Sequence, residues 1–373
     1  MWRLLTTLGK PTLRLAASGT VAAASAAAAA APWKQQMVPA QTPPRHRERR
    51  GLRPKTGVVG APVACEPALP TPGGAAEFGA TYELLEELGR GSFGVVQRVR
   101  HVPTGELRAV KRLPAHSTTP ALIEPQTVSM AEAKVAPPEL EALASLDHPN
   151  VAGFVEYFNT GEEVLLVQEL CEGGPLEALL EQANGRGLGA GKETARALKH
   201  MLQAVRHCHE RGFVHRDLKA DNFVFASRDR QDSELKLIDF GLAGRCSEGQ
   251  RLQGRAGTVD YSAPEALAEG AGFGLPADMW ALGAIFFLLI TGEPLIKVHQ
   301  PNANPCDELR SALQGEATRK VLDAKYVRLR VASASSRIPA AAADLLQELL
   351  RQDPALRITA EEALRHPFIS ANA

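Results

Sequence analysis

Residues 213–222 read Phe-Val-His-Arg-Asp-Leu-Lys-Ala-Asp-Asn, and the apolar triplet Phe223-Val224-Phe225 follows directly. After a polar stretch comes Leu235-Lys236-Leu237-Ile238-Asp239-Phe240-Gly241. Each apolar run is short, bounded by ionisable residues and built from strand-forming types, so the spacing predicts two strands carrying loops with chemistry on them. Upstream, apolar residues at Leu202, Val205 and Cys208 mark a helix that ends at Gly212. An acid at the end of Leu-Lys-Leu-Ile is costly to bury unless a cation meets it, so Asp239 calls for a metal or a basic side chain. Asp239 and Asn222 offer oxygen donors of the kind magnesium takes beside phosphate groups.

Working outward, Tyr82-Glu83-Leu84-Leu85-Glu86-Glu87-Leu88 leads into Gly89-Arg90-Gly91-Ser92-Phe93-Gly94, then Val95-Val96-Gln97-Arg98-Val99-Arg100. A turn at Pro103-Thr104-Gly105 precedes a third short strand, Leu107-Arg108-Ala109-Val110-Lys111. The glycines therefore lie between two strands, whereas a dinucleotide fingerprint places them at the opening of a helix. Without Cβ atoms such a loop lets its amides approach phosphate oxygens, and Lys111, 17 residues after Gly94, is a suitable neutralising charge.

Taken together these segments resemble the eukaryotic protein kinases: the loop Gly89 to Gly94, Ala-Val-Lys at 109–111, His-Arg-Asp-Leu-Lys-x-x-Asn at 215–222, Asp-Phe-Gly at 239–241 and Ala-Pro-Glu at 263–265, in order and with intact spacing. The resemblance implies an α+β fold with a small β-rich N-lobe (about 79–170) and a larger helical C-lobe (about 171–370). It implies ATP and magnesium as cofactors, and proteins with serine or threonine acceptors as substrates. Carried over position by position, Asp217 is the catalytic base, Lys219 stabilises the transferred group, Lys111 holds phosphates, and Asn222 with Asp239 binds magnesium. The nucleotide would meet Leu88, Gly89, Arg90, Gly91, Ser92, Phe93, Gly94, Val96, Ala109, Val224 and the hinge residues Glu169 and Cys171. Thr258 is similar to the residue that supports a Ser/Thr choice, Asp278 to Gly283 to the buried core helix, and Arg357 to the partner of Glu265. A pseudokinase or scaffold that binds nucleotide without turnover is the alternative.

The helix glutamate that should pair with Lys111 is Glu139 by family spacing, with Glu141 and Glu132 as alternatives. Pro137 and Pro138 stand immediately before it, so this helix should start late or be broken, and an activating partner or substrate that closes the site enters as an expectation. The stretches 168–176 and 255–261 resemble the calcium-dependent and calmodulin-dependent kinases, without an EF-hand loop. Between Gly241 and Gly257 the one hydroxyl is Ser247, so a loop ordered without phosphate is the simpler reading. Pro175 stands where many relatives place a glutamate, and Leu288 where some basophilic kinases use an acid, which argues against a strong arginine preference, while Asp221 remains available to a basic substrate side chain.

Charge divides the chain. Lys plus Arg and Asp plus Glu both number 42, but residues 1–75 hold ten basic and two acidic side chains, +8, leaving −8 for the remainder. That balance excludes a uniformly basic nucleic-acid binder. Residues 1–78 are Ala-, Pro- and Arg-rich, and no acid precedes Glu48. Such composition fits a disordered tail, an organelle transit peptide or a secretory signal, so the compartment is cytoplasmic or, with a transit peptide, organellar. Five scattered cysteines, Cys65, Cys171, Cys208, Cys246 and Cys306, give no disulfide or zinc pattern. No stretch of the main body is apolar for the length of a membrane span.

Overall fold

The computed structural model describes residues 71–91, 94–114, 138–247, 249–253, 257–268, 272–297 and 307–372. The tail 1–70, Ser92 and Phe93, the insertion around Pro114 to Pro125 beyond residue 114, Glu132, Pro137, and Cys65 and Cys306 lie outside the described residues.

The N-terminal part is a five-stranded antiparallel sheet of β1 (Tyr82–Gly91), β2 (Gly94–His101), β3 (Leu107–Pro114), β4 (Phe154–Asn159) and β5 (Glu163–Glu169), in the order β1-β2-β3-β5-β4. Before it stands α1 (Ala75–Thr81), and between β3 and β4 lies α2 (Pro138–Ser145). Alternation along β3 sorts its side chains to two faces. Val110 is fully buried with Val99, Leu165, Val167, Tyr82 and Phe158, while Ala109 and Lys111 face the other way. The packed structure begins before the boundary at residue 79 drawn from sequence. Phe78 of α1 joins the core, its ring 5.2 Å from Phe158 and 5.5 Å from Tyr82. Gly73 bonds along β4 through Tyr157 and Asn159, covering what would be an exposed sheet edge.

The rest is helical: α3 (Leu176–Gln182) and α4 (Lys192–Glu210), then the short strands β6 (Phe213–Val214), β7 (Phe223–Phe225), β8 (Leu235–Leu237), β9 (Gly244–Arg245) and β10 (Leu252–Gln253). There follow α5 (Pro264–Leu267), β11 (Gly272–Phe273), α6 (Leu275–Thr291), α7 (Asp307–Leu322), α8 (Ala324–Ser335), α9 (Ala340–Leu349), α10 (Ala360–Arg365) and α11 (Pro367–Ser370). Helix α6 is apolar on every side and every residue from Ala277 to Ile290 is buried, as expected of a helix around which others pack. Its N-terminal acid, Asp278, therefore has no water to hold it and must be satisfied by protein. No described helix is long and apolar enough to cross a membrane.

Candidate functional site

The two polar loops singled out in the sequence are brought together by the hairpin β7–β8, in which Phe223 pairs with Leu237 and Phe225 with Leu235. Beyond it, the Ile238 amide donates to the Asn222 carbonyl at 2.9 Å, which sets Asn222 beside Asp239 along the chain path. Asp239 adopts φ 61° and Arg216 φ 69°. Neither is glycine, so both pay for a left-handed backbone, and such strain persists only where surrounding bonds over-determine it.

For Arg216 those bonds come from Asp278. Its Oδ2 accepts the His215 amide and His209 Nε2, each at 2.9 Å, and its Oδ1 accepts the Arg216 amide at 3.1 Å. Burial pushes the Asp278 carboxyl up, but the His209 hydrogen bond, nearby imidazoles and the His215 amide outweigh it and hold the carboxyl below its usual range. Read from sequence as scaffold, Asp278 thus directly shapes the loop that presents Asp217.

Asp217 is itself firmly oriented. Its Oδ1 accepts both the amide and the hydroxyl of Thr258 at 2.9 Å, and Oδ2 accepts Lys219 Nζ at 3.0 Å. Asn222 Nδ2 donates to the Asp217 carbonyl at 2.8 Å. Gly257 makes this close approach possible: at φ 82°, a Cβ there would lie 2.2 Å from the Arg216 carbonyl oxygen.

On the sheet side, Lys111 Nζ donates to Glu139 Oε1 at 2.6 Å and to Asp239 Oδ1 at 2.7 Å. Burial alone would lower the lysine, yet the two carboxylates raise it, so it stays an ammonium. The Asp239 carboxyl, which burial would raise, is held low by Lys111. Burial pushes Glu139 up against the pull of Lys111. Of the candidate glutamates among the described residues, Glu139 meets Lys111. Helix α2, Pro138–Ser145, carries Glu139 in its first turn, directly after the proline at its start. The Lys111–Glu139 pair is formed between residues of this chain.

Gly89, Arg90 and Gly91 end β1, and Gly94 opens β2 opposite Gly91, so the glycine segment is the tip of a hairpin. At Gly94, φ 149°, a Cβ would stand 2.1 Å from the Arg112 carbonyl oxygen of β3. Arg90 bonds Glu87 at the surface. Leu88 is exposed, and Val96, Ala109, Cys171 and Val224 are only half-buried, which leaves apolar surface open beside Lys111. Burial holds the Cys171 thiol protonated, pushed up to about 12. The Glu169 amide bonds the Gly153 carbonyl at 2.8 Å, and its carboxylate accepts the Gly153 amide at 3.1 Å.

Two partners were missed in the sequence. Lys236, buried on β8, donates to Glu169 Oε2 at 3.0 Å and to the Pro149 carbonyl at 2.8 Å, fixing the hinge to the loop after α2. The signal was a lysine between two leucines in a short strand. Glu177 stands near Asp221: burial first, then the Asp221 charge, push its carboxyl up. Arg357 meets Glu265 with two bonds, at 2.5 and 2.9 Å.

A family model described as protein kinase domain matches residues 82–369. The chain is 30% identical to calcium-dependent protein kinase 14 of Arabidopsis thaliana, covering 79% of this chain and 50% of that protein. It is 31% identical to sperm motility kinase 2B of Mus musculus, over 79% and 52%. With calcium/calmodulin-dependent protein kinase type II subunit delta of Oryctolagus cuniculus the identity is 32%, over 79% and 50%. The chain spans about half the length of these curated relatives.

Proposed function

The chain belongs to the protein kinase domain family, and from that premise we propose that it transfers the γ-phosphoryl group of ATP to serine and threonine hydroxyls of protein substrates. The observation that carries the reading is the convergence of Asp217, Lys219 and Thr258 on one side and Lys111, Glu139 and Asp239 on the other, with every charge in that set partnered.

The residues present fit the cofactors the family implies. Asp239 is kept ionised, and with Asn222 it supplies hard oxygen donors, the set magnesium prefers. Bound magnesium would neutralise charge on phosphate oxygens. For the nucleotide, Val96, Ala109, Val224 and Leu88 offer the apolar surface, Glu169 and Cys171 the hinge backbone, and the glycines Gly89, Gly91 and Gly94 positions where the backbone can approach phosphate closely.

What the chain's own groups contribute is positioning and charge. Asp217, aimed by Thr258, accepts the proton of the acceptor hydroxyl. Lys219, 3.0 Å from that carboxylate, places a positive charge where the transferred group develops negative charge. Lys111, kept protonated by its two carboxylates, does the same for the phosphates, and Glu139 stops it collapsing wholly onto Asp239. A loose phosphoryl-transfer transition state asks for little more than this.

The test is transfer of radiolabelled phosphate from ATP to a generic protein and a peptide array by the full chain, set against Asp217→Asn. That substitution preserves the acceptor to Thr258 and removes the base. Turnover should fall about 100- to 10,000-fold, the usual worth of general-base catalysis. Equal signal from the two proteins would sink the reading and leave nucleotide binding without turnover.

A further inference from the structure

Helix α2 carries two acids two positions apart, and an α-helix turns about 200° over that separation, so Glu139 and Glu141 leave it on opposite sides. Glu139 reaches Lys111 on the sheet. Glu141 reaches Arg245, whose Nε donates to its Oε1 in an ion pair. Arg245 lies on β9, six residues beyond Asp239, and β9 is clamped to β6: Phe213 pairs with Arg245 and Val214 with Gly244, and the Cys246 amide donates to the Gly212 carbonyl at 2.7 Å. The Arg245 guanidinium also stands 5.0 Å over the Phe213 ring. Because β6 runs straight into His215, the cation that meets Glu141 is fixed to the start of the catalytic loop.

We propose that Arg245 is a positioning residue: through Glu141 it sets where α2 sits, and so holds Glu139 against Lys111, using side chains alone and no phosphate on the segment between Gly241 and Gly257. The proposal rests on the kinase reading above and adds a means of regulation to it. Three observations support it. First, α2 is eight residues long, too short to be stable on its own, so a side-chain tether at its first turn matters more than it would on a long helix. Second, the neighbouring Arg216 is already committed, its Nε donating to the Leu242 carbonyl at 2.5 Å, so the start of the segment is held by bonds within the chain. Third, a Cβ at Gly244 would lie 2.6 Å from Leu252 Cδ1 and 3.5 Å from the Arg216 guanidinium, so β9 is packed in place on that side too.

Arg245 and Glu141 are 45% and 38% exposed, so the tether is modest. Its worth lies at the upper end for surface pairs, because the Phe213 ring adds to the attraction on the cation. The expected loss is about fivefold, equivalent to about 1 kcal/mol.

The experiment uses the full chain and three variants, Arg245→Glu, Glu141→Arg and the double exchange, with Ser247→Ala alongside. Each single reversal should lower kcat about fivefold or more with peptide KM within about twofold, and the double exchange should recover most of the loss. Hydrogen exchange of the amides at 139–145 should quicken in the singles and slow again in the double. That second readout needs no turnover, so it separates the tether from the kinase reading. An inactive wild type with this exchange pattern would end the kinase reading and leave the tether standing. Singles that match wild type in both kcat and exchange, or a double no better than either single, would overturn the tether. Ser247→Ala should equal wild type, and a tenfold loss there would overturn the phosphate-free part of the proposal.

Discussion

Replacing Asp278 by asparagine tests whether a single buried carboxylate holds the loop that presents Asp217. The acid is 2% exposed and accepts three hydrogen bonds, from His209, the His215 amide and the Arg216 amide. If the asparagine oxygen takes the Oδ2 position, the bonds to His209 and His215 survive but lose charge assistance, about 1 kcal/mol each. Its amide group then faces the Arg216 N–H, a donor against a donor, and a buried unsatisfied donor costs about 1–3 kcal/mol. Removing a buried charge returns part of this, so the net destabilisation is about 2–4 kcal/mol. At roughly 2 °C per kcal/mol for a domain of this size, Tm should fall by about 4–8 °C at pH 7, read by differential scanning fluorimetry. Arg216, freed at its amide, can relax from φ 69°, and if Asp217 is the base as proposed, a shift of it by about 1 Å costs up to about 100-fold in kcat. The sign of the pH effect follows from the depressed carboxyl. A folded value below the unfolded one, about 3.9, gives stability that is complete above that value and lost as pH falls through the folded one. The gap between wild type and Asp278→Asn should therefore narrow below about pH 4. A Tm within 1 °C of wild type at pH 7, or a gap that stays constant down to pH 3.5, would refute the reasoning.

Two further outcomes follow from packing and titration. Phe78→Ala in the full chain should cost about 3–5 kcal/mol, because the ring is buried between Tyr82 and Phe158 and its loss empties the junction of α1 with the sheet; urea unfolding measures it, and a change under 1 kcal/mol would show that α1 is not part of the cooperative unit. Burial, with Arg211 and His148 adding, pushes His207 down to about 4, below the unfolded value of about 6.5, so the unfolded chain binds the extra proton and stability declines as pH falls from about 6.5 toward 4. Asp147, His148, Arg206 and Arg211 all face this imidazole, and His207→Gln leaves them in place; its urea midpoint should decline less steeply over that window, and parallel curves would count against the assignment.

The parts of the site that sequence made legible are those where the residue type and its offset from a turn carry the meaning. Ala-Val-Lys after a glycine hairpin, and Asp-Phe-Gly after an apolar strand, single out Lys111 and Asp239 locally, and the fold then brings the two side chains together. The fold class was legible for the same reason, since strands of period two and a fully apolar helix are local patterns. Long-range partners were not. Nothing local distinguishes Glu139 from Glu141, and the structure separates them by which side of α2 each leaves, one toward β3 and the other toward β9. Lys236 looks like a surface lysine on a strand until β8 is seen packed beneath the hinge. The resemblance reaches from about residue 79, and its motifs say nothing of Phe78 and Gly73, which pack and bond against the sheet.

The two carboxylates of α2 also explain how a proline-interrupted helix can serve this site. A long helix can be placed by its own apolar face; a two-turn helix buries few side chains, here Leu140, Ala142 and Leu143, and its orientation is correspondingly soft. Both acids fall in the first turn, where the helix dipole favours negative charge, so the end that matters chemically is also the end held most firmly. One tether runs to the strand that carries Lys111 and the other to the strand that leaves Asp-Phe-Gly. Moving either strand without the other pulls Glu139 away from the lysine and leaves Lys111 and Asp239 facing each other. The ammonium and the carboxylate would then engage each other in place of the phosphates and metal each is proposed to serve. On this reasoning the pairing of Glu139 with Lys111 reports whether the two strands are in register, and Arg245 is the residue that makes the second strand count.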